Sequence, residues 1–278
     1  MMSSNLKAPM KRIALYLVLL AGAAISLAPY LMTLNSALKS PKDVLTTQAW
    51  APADPVTFQN FAEVWSEYDM SGFLLHTVVY AGLVTLGQLV FSTMAAYAFG
   101  RLEFPGRDAL FWGYLATMMV PQIVTLVPLF LIMREFGMID TYLGLILPTA
   151  FGTPYGIFLV RQYFRTIPRD LESAARIDGA STWAVLLRII LPLSRPILAT
   201  LATVTFIQTW NMLLWPLIIT NSDYTRVVTL GISALKGQYT SQYHIVLAAA
   251  ALALLPLIAV FLLFQRHIVR SIALTGLK

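Results

Sequence analysis

Gln208, Thr209, Trp210, Asn211 and Trp215 place two amides, a hydroxyl and two indoles within one otherwise apolar run. Amides both donate to and accept from hydroxyls, and an indole face suits the apolar side of a sugar ring. Such a set can hold uncharged, hydroxyl-rich solutes. Gln122, directly after Pro121, adds a third amide in a different apolar run. The same groups also suit hydrogen bonds between helices and tryptophans at a membrane interface. Both uses remain open for each of them.

Bond-making chemistry has little to work with. The chain has 3 histidines and no cysteine. His76, His244 and His267 lie far apart, without the spacing of metal ligands. No GxSxG elbow or HExxH pair occurs, and no GxxxxGK[ST] loop that would cradle nucleotide phosphates. The chain is therefore expected to be no enzyme, to hold no metal or cofactor, and to draw any ATP-driven work from another subunit.

A second constellation is suited to docking. Residues 168–192 form a mostly polar segment between two long apolar runs. Pro168, Asp170 and Glu172 favour the start of a short helix. Ala174 and Ala175 give that helix a low-relief face, and Gly179 can end it in a left-handed conformation. Ser181 can cap the next helix, which leads to Ile189, Leu191 and Pro192. A plain membrane loop needs none of this spacing.

The surrounding composition says where these residues must sit. Hydrophobic residues make up 58% of the 278 and charged ones only 12%, about half the roughly 25% of soluble chains. Uncharged runs near 13–34, 72–99, 109–133, 142–160, 197–220 and 245–264 are each long enough to cross a bilayer as a helix. The sequence thus predicts an all-α integral membrane protein: one domain over 1–278, six spans, and a first helix that is retained. Proline punctuates the spans at 121, 128, 148, 154, 216 and 256, freeing carbonyls at membrane depth.

Charge gives the orientation. With six spans both termini lie on one side, and only Lys39, Lys42, Arg134, Arg226 and Lys236 of the 19 basic residues fall on the other. The positive-inside rule then puts the termini and residues 168–192 in the cytoplasm. It also explains the net charge of +6 without a nucleic-acid partner. The largest outer loop, 35–71, carries Phe58, Phe61, Val64 and Trp65 at helical spacing and predicts an amphipathic helix. Inside the spans no acid, lysine or arginine lies near a centre, which weakens proton coupling. A sodium-coupled secondary carrier, binding through carbonyls and hydroxyls, stays open as the alternative.

The docking segment also carries a resemblance. Ala174-Ala175, Gly179 and Ile189-x-Leu191-Pro192 keep the register of the cytoplasmic signature of binding-protein-dependent ABC importer permeases: Glu-Ala-Ala, three residues, Gly, nine residues, then Ile-x-Leu-Pro. Ser173 stands where that signature has its glutamate, and Glu172 precedes it. The segments AAYAFGRLEFPGR (95–107), WNMLLWPLIITNSD (210–223) and LFQRHIVRSIALTGLK (263–278) resemble the carbohydrate branch, and within it the six-span G subunit of maltose-type systems. The resemblance implies the type I importer permease architecture in the cell inner membrane. It further implies a heterodimer with a second permease, a homodimer of ATPases carrying ATP and Mg, and an extracytoplasmic sugar-binding protein. Glu172, Ser173, Ala174, Ala175, Asp178, Gly179, Leu191 and Pro192 would couple to the ATPase, with Glu172 standing in for the missing glutamate. Gln122, Gln208, Trp210, Asn211 and Trp215 would line the path of an oligosaccharide or related polyol. A non-sugar solute such as glycerol phosphate is the alternative within the same class.

Overall fold

The computed structural model describes residues 7–238 and 242–275, with side chains for 11–236 and 242–266. Lys278, and the side chains of Lys7, His267 and Arg270, lie outside the described residues. Within them the secondary structure is helical, without strands.

The long α1 (Lys7–Ala37) is followed by α2 (Pro41–Thr46), α3 (Gln59–Glu67) and the long α4 (Met70–Arg101). Next come α5 (Arg107–Ala116), α6 (Gln122–Glu135), α7 (Tyr142–Ala150) and α8 (Pro154–Thr166). After α9 (Asp170–Ile177), α10 (Thr182–Val185), a π-helical turn (Leu186–Ile190) and α11 (Leu191–Leu193) lead into α12 (Arg195–Trp210). The short α13 (Leu214–Ile219), α14 (Val228–Gln238) and the long α15 (Tyr243–Thr275) complete the order. Three helices, α1, α4 and α15, are long and apolar enough to cross a membrane alone, and three bent pairs raise the possible number to six.

Two of the three bends have a local cause in the sequence. The α5–α6 pair turns by 100° where Val120 is extended ahead of Pro121, the conformation proline imposes on its predecessor. The α7–α8 pair bends by 42° at Phe151 and Gly152, and Thr153 then caps α8 by accepting from the Gly156 N–H at 3.2 Å. The segment ending at Leu193 meets α12 at 78°. The apolar run at 197–220 is not one helix. Its helix stops at Trp210, because the ring of Pro216 would collide with the Met212 carbonyl in a continuous helix.

The chain forms two compact units, Met1–Met70 with Ile232–Leu255, and Ser71–Gly231 with Pro256–Lys278. In the first unit, amide side chains fasten the 35–71 loop. Asn60 donates to the Ala37 and Lys39 carbonyls at 2.7 and 2.8 Å, and Asn35 to those of Ala49 and Ala51 at 2.9 and 2.8 Å. The ammonium of Lys39, itself buried, donates to Thr47 Oγ1 and the Gln48 carbonyl. The amphipathic helix is present as α3, and it buries Asn60 and Val64 while Phe58 and Trp65 stay exposed.

Among the described residues the second unit contains these hydrophobic cores. One joins Tyr97 of α4, Phe111 of α5 and Val160 and Phe164 of α8 to Val185, Leu186 and Ile190. Another joins Tyr80 and Val84 of α4 to Leu126, Leu145, Trp215 and Ile219. Between helices in lipid, association comes from close packing rather than from water expulsion. Small residues supply it here: a Cβ on Gly87 would lie 2.5 Å from the Ala150 carbonyl oxygen, and one on Gly152 would lie 2.9 Å from Ser92 N.

Candidate functional site

The docking segment folds as its sequence suggests. Asp170 and Glu172 occupy the first turn of α9 and Arg176 the last, each matched to the helix dipole. Gly179, at φ +81°, closes the helix by donating to the Arg176 carbonyl at 3.0 Å while Ala180 N–H donates to Ala175 at 2.9 Å. This is a Schellman turn, which needs a left-handed residue at that position. Ser181 then accepts from the Ala184 N–H at 3.2 Å and starts α10.

The two faces of this unit differ. Ala175, Ala180 and Leu191 pack partly against the core formed by Tyr97, Phe164, Val185 and Ile190. Ser173, Ala174, Asp178, Gly179 and Pro192 are exposed. Ile177, not singled out from the sequence, is 86% exposed beside them. Its signal was an isoleucine on the face opposite the core. No atom lies within 4 Å of a Cβ built on Gly179, so the left-handed turn, not a close approach, is what favours glycine there. A groove of about 530 Å³ opens alongside, lined by Asp178, Gly179, Ala184 and Arg188 among others.

Glu172 turns inward. Its carboxylate lies 3.1 Å from Arg101 Nη1, and their side chains are only 10% and 2% exposed. The same guanidinium donates to the Phe164 carbonyl and, at 2.6 Å, to that of Ile167. A neighbouring arginine does similar work: Arg161 lies over the Phe111 ring at 3.9 Å and donates to the Phe99 carbonyl at 3.1 Å. In the sequence both arginines read only as part of the cytoplasmic charge excess. A glutamate two residues into a helix start was the sole hint of a partner.

The amide and indole residues do not form one cluster. Gln122, Gln208 and Asn211 are exposed on the isolated chain, whereas Trp210 and Trp215 are buried. Trp215 Nε1 lies 3.2 Å from both the Gly144 and the Leu145 carbonyl oxygens, joining α13 to α7. Trp210 stacks on Phe206 with ring centroids 5.6 Å apart. The polar group sequence reasoning missed is Gln88 of α4. It donates to the Thr149 carbonyl at 2.6 Å and accepts from the Thr153 N–H at 2.9 Å, so it spans the break between α7 and α8. Tyr114 donates to the Gly152 carbonyl in the same break. His76, a boundary histidine, sits 3.2 Å from the Arg226 carbonyl. Among the described residues no three His, Cys, Asp or Glu gather as metal ligands.

Asp140 organises the loop after α13. Its Oδ1 accepts from the N–H groups of Asn221 and Ser222 at 2.9 and 3.1 Å and from Thr225 Oγ1 at 2.8 Å. Those bonds, the Asn221 N–H first, lower its pKa from 3.8 to about 2. A depressed carboxylate pKa supports the fold above the unfolded value and loses that support as pH falls through the folded one. The clasp should hold unchanged at neutral pH and weaken only between 3.8 and about 2. Asp140→Ala is expected to raise amide exchange at 221–225 by about ten-fold or more at pH 7, with Asp140→Asn in between. Unchanged protection in the alanine variant would remove the clasp from the account.

The chain matches the family model for the binding-protein-dependent transport system inner membrane component over residues 71–274. It belongs to that family. The family chain is 31% identical over 259 residues to the diacetylchitobiose uptake system permease protein NgcG of Streptomyces coelicolor, covering 92% of this chain and 85% of the relative. It is 32% identical over 265 residues to the sn-glycerol-3-phosphate transport system permease protein UgpE of Yersinia enterocolitica, covering 92% and 94%. A solved bacterial ABC transporter that imports the acidic polysaccharide alginate has the same fold, with a TM-score of 0.81 at 22% identity over 94% of this chain and 98% of that one. The all-α fold of an importer permease and the inner-membrane location follow from these matches.

Proposed function

We propose that this chain is the permease subunit through which an ATP-driven, binding-protein-dependent importer moves an oligosaccharide or related polyol. The observation that carries this reading is the exposed small-residue face of α9, with Ile177 and the left-handed Gly179. That face takes a cytosolic ATPase pair bearing ATP and Mg; the chain itself hydrolyses nothing. Ser173, Ala174, Asp178 and Gly179 meet the ATPase directly. Glu172, Ala175 and Leu191 act from behind by fixing that surface, and Pro192 is exposed with it. The termini lie in the cytoplasm, following the positive-inside rule. A second permease completes the pathway, and an extracytoplasmic binding protein delivers the solute.

The substrate class rests on two supports. The diacetylchitobiose relative transports a sugar by name. Gln122 and Gln208 are polar, uncharged and exposed on helices otherwise suited to lipid, a costly position unless they face a partner or a watered path; exposed Asn211, at the end of α12, donates to the Ile207 carbonyl at 2.8 Å. Trp210 and Trp215 back this lining rather than form it. The glycerol-phosphate relative supports a second reading, which needs cationic groups supplied by the partner permease.

Reconstitution of the assembly in liposomes decides between them. Uptake of labelled oligosaccharide should require ATP and binding protein and survive collapse of ion gradients. Uptake that follows a sodium or proton gradient without ATP would overturn the reading. Preference for glycerol phosphate over every neutral sugar would move it to the second.

A further inference from the structure

We propose that Arg101 is the positioning residue that makes α9 move as one body with α4 and α8. Its guanidinium touches all three elements. It is the last residue of α4, it donates to the carbonyls of Phe164 and Ile167 at the end of α8, and it pairs with Glu172 on α9. Arginine suits this task because its donors form a fixed fork and it stays charged when buried. The carbonyls at a helix end have no intrahelical partner and carry negative partial charge. Glu172 supplies the compensating charge.

The placement makes the joint stiff. Sliding α9 along α8 would separate two charged side chains that are only 2% and 10% exposed, an arrangement buried ions strongly resist. α8 is itself held to α4 and α5 by Arg161, through the Phe99 carbonyl and the Phe111 ring. A push on the exposed face of α9 therefore reaches α4 instead of being absorbed in the 167–169 connection. The proposal builds on the reading that this face docks on the ATPase. It assigns Glu172 to the interior side of the joint. Arg101 touches neither the solute nor the ATPase and acts through Glu172 and α8.

The test uses the complete assembly in liposomes, with ATP hydrolysed per solute moved as the readout. Arg101→Lys, Glu172→Gln and the double variant Arg101→Ala/Glu172→Gln are compared with the natural chain. Each should assemble and hydrolyse ATP, with the ATP-to-solute ratio raised about ten-fold in Glu172→Gln and in the double variant and less in Arg101→Lys. The double variant separates positioning from charge burial, since it leaves no unpaired ion yet should stay uncoupled. A natural ratio in the double variant, or equal loss of hydrolysis and uptake in all three, would overturn the proposal. Ile177→Glu reports on the docking reading by itself. It should release the ATPase during purification, and an ATPase that stays bound would sink the docking reading while leaving the Arg101 ratio as its own measurement.

Discussion

Gly179→Asp is expected to abolish ATP-driven uptake while leaving the protein inserted at normal abundance. The fold tolerates the change for two reasons. No atom lies within 4 Å of the new Cβ, and aspartate enters the left-handed region at a cost of only about 1 kcal/mol. The damage falls on the docked state. A carboxylate beside Asp178 would be carried into a contact that excludes water, and an unpaired charge there costs several kcal/mol. That corresponds to a loss of roughly one hundred-fold or more in uptake. Gly179→Asn keeps the left-handed turn without the charge and should retain much more activity. Uptake at the natural rate in the aspartate variant would end the docking role of this turn.

Gly87→Val should have the largest effect on stability. The added Cβ would lie 2.5 Å from the Ala150 carbonyl oxygen and 3.0 Å from its Cβ. Backbone cannot swing away as a long side chain can. The segment it strikes is also pinned, by both ends of Gln88 and by Tyr114. Overfilled cores usually lose about 1–3 kcal/mol, and a backbone collision lies at or above the upper end. Thermal unfolding of the purified chain in detergent should fall sharply, with little protein accumulating in the membrane. Gly82→Val is the control on the same helix, where no atom lies within 4 Å. Equal melting of the two variants would show that α4 and α7 do not need this close approach.

The features that read well from the sequence are those fixed by one segment and its solvent. A bilayer demands long uncharged runs, so candidate spans are visible in composition, although the run at 197–220 is broken after Trp210 and the candidate pair there is 182–193 with 195–210. Gly179 announces its turn because few other residues accept that backbone, whereas proline is an ambiguous sign: Pro121 and Pro154 stand at bends, while Pro128, Pro148 and Pro256 lie inside helices. Partnerships between distant segments are another matter. Arg101 meets Glu172 and Arg161 meets the Phe99 carbonyl only after folding, and each arginine looks in sequence like one more cytoplasmic charge. Trp215 and Gln208 show the same ambiguity. An indole or amide in a span looks identical whether it lines a path or donates to a carbonyl, and Trp215, Asn211 and Gln88 prove to do the latter.

The π-helical turn at Leu186–Ile190 carries a consequence for direction. There the Leu191 N–H reaches back to the Leu186 carbonyl, one residue farther than in an α-helix. Widening the turn gives the ring of Pro192 room against the preceding carbonyls. Each extra residue rotates whatever precedes it by about 100° around the helix axis. The turn thus sets the azimuth of α9 and α10 relative to α12. Removing one residue from it would crowd Pro192 against the preceding carbonyls and aim the docking face about 100° away from its partner.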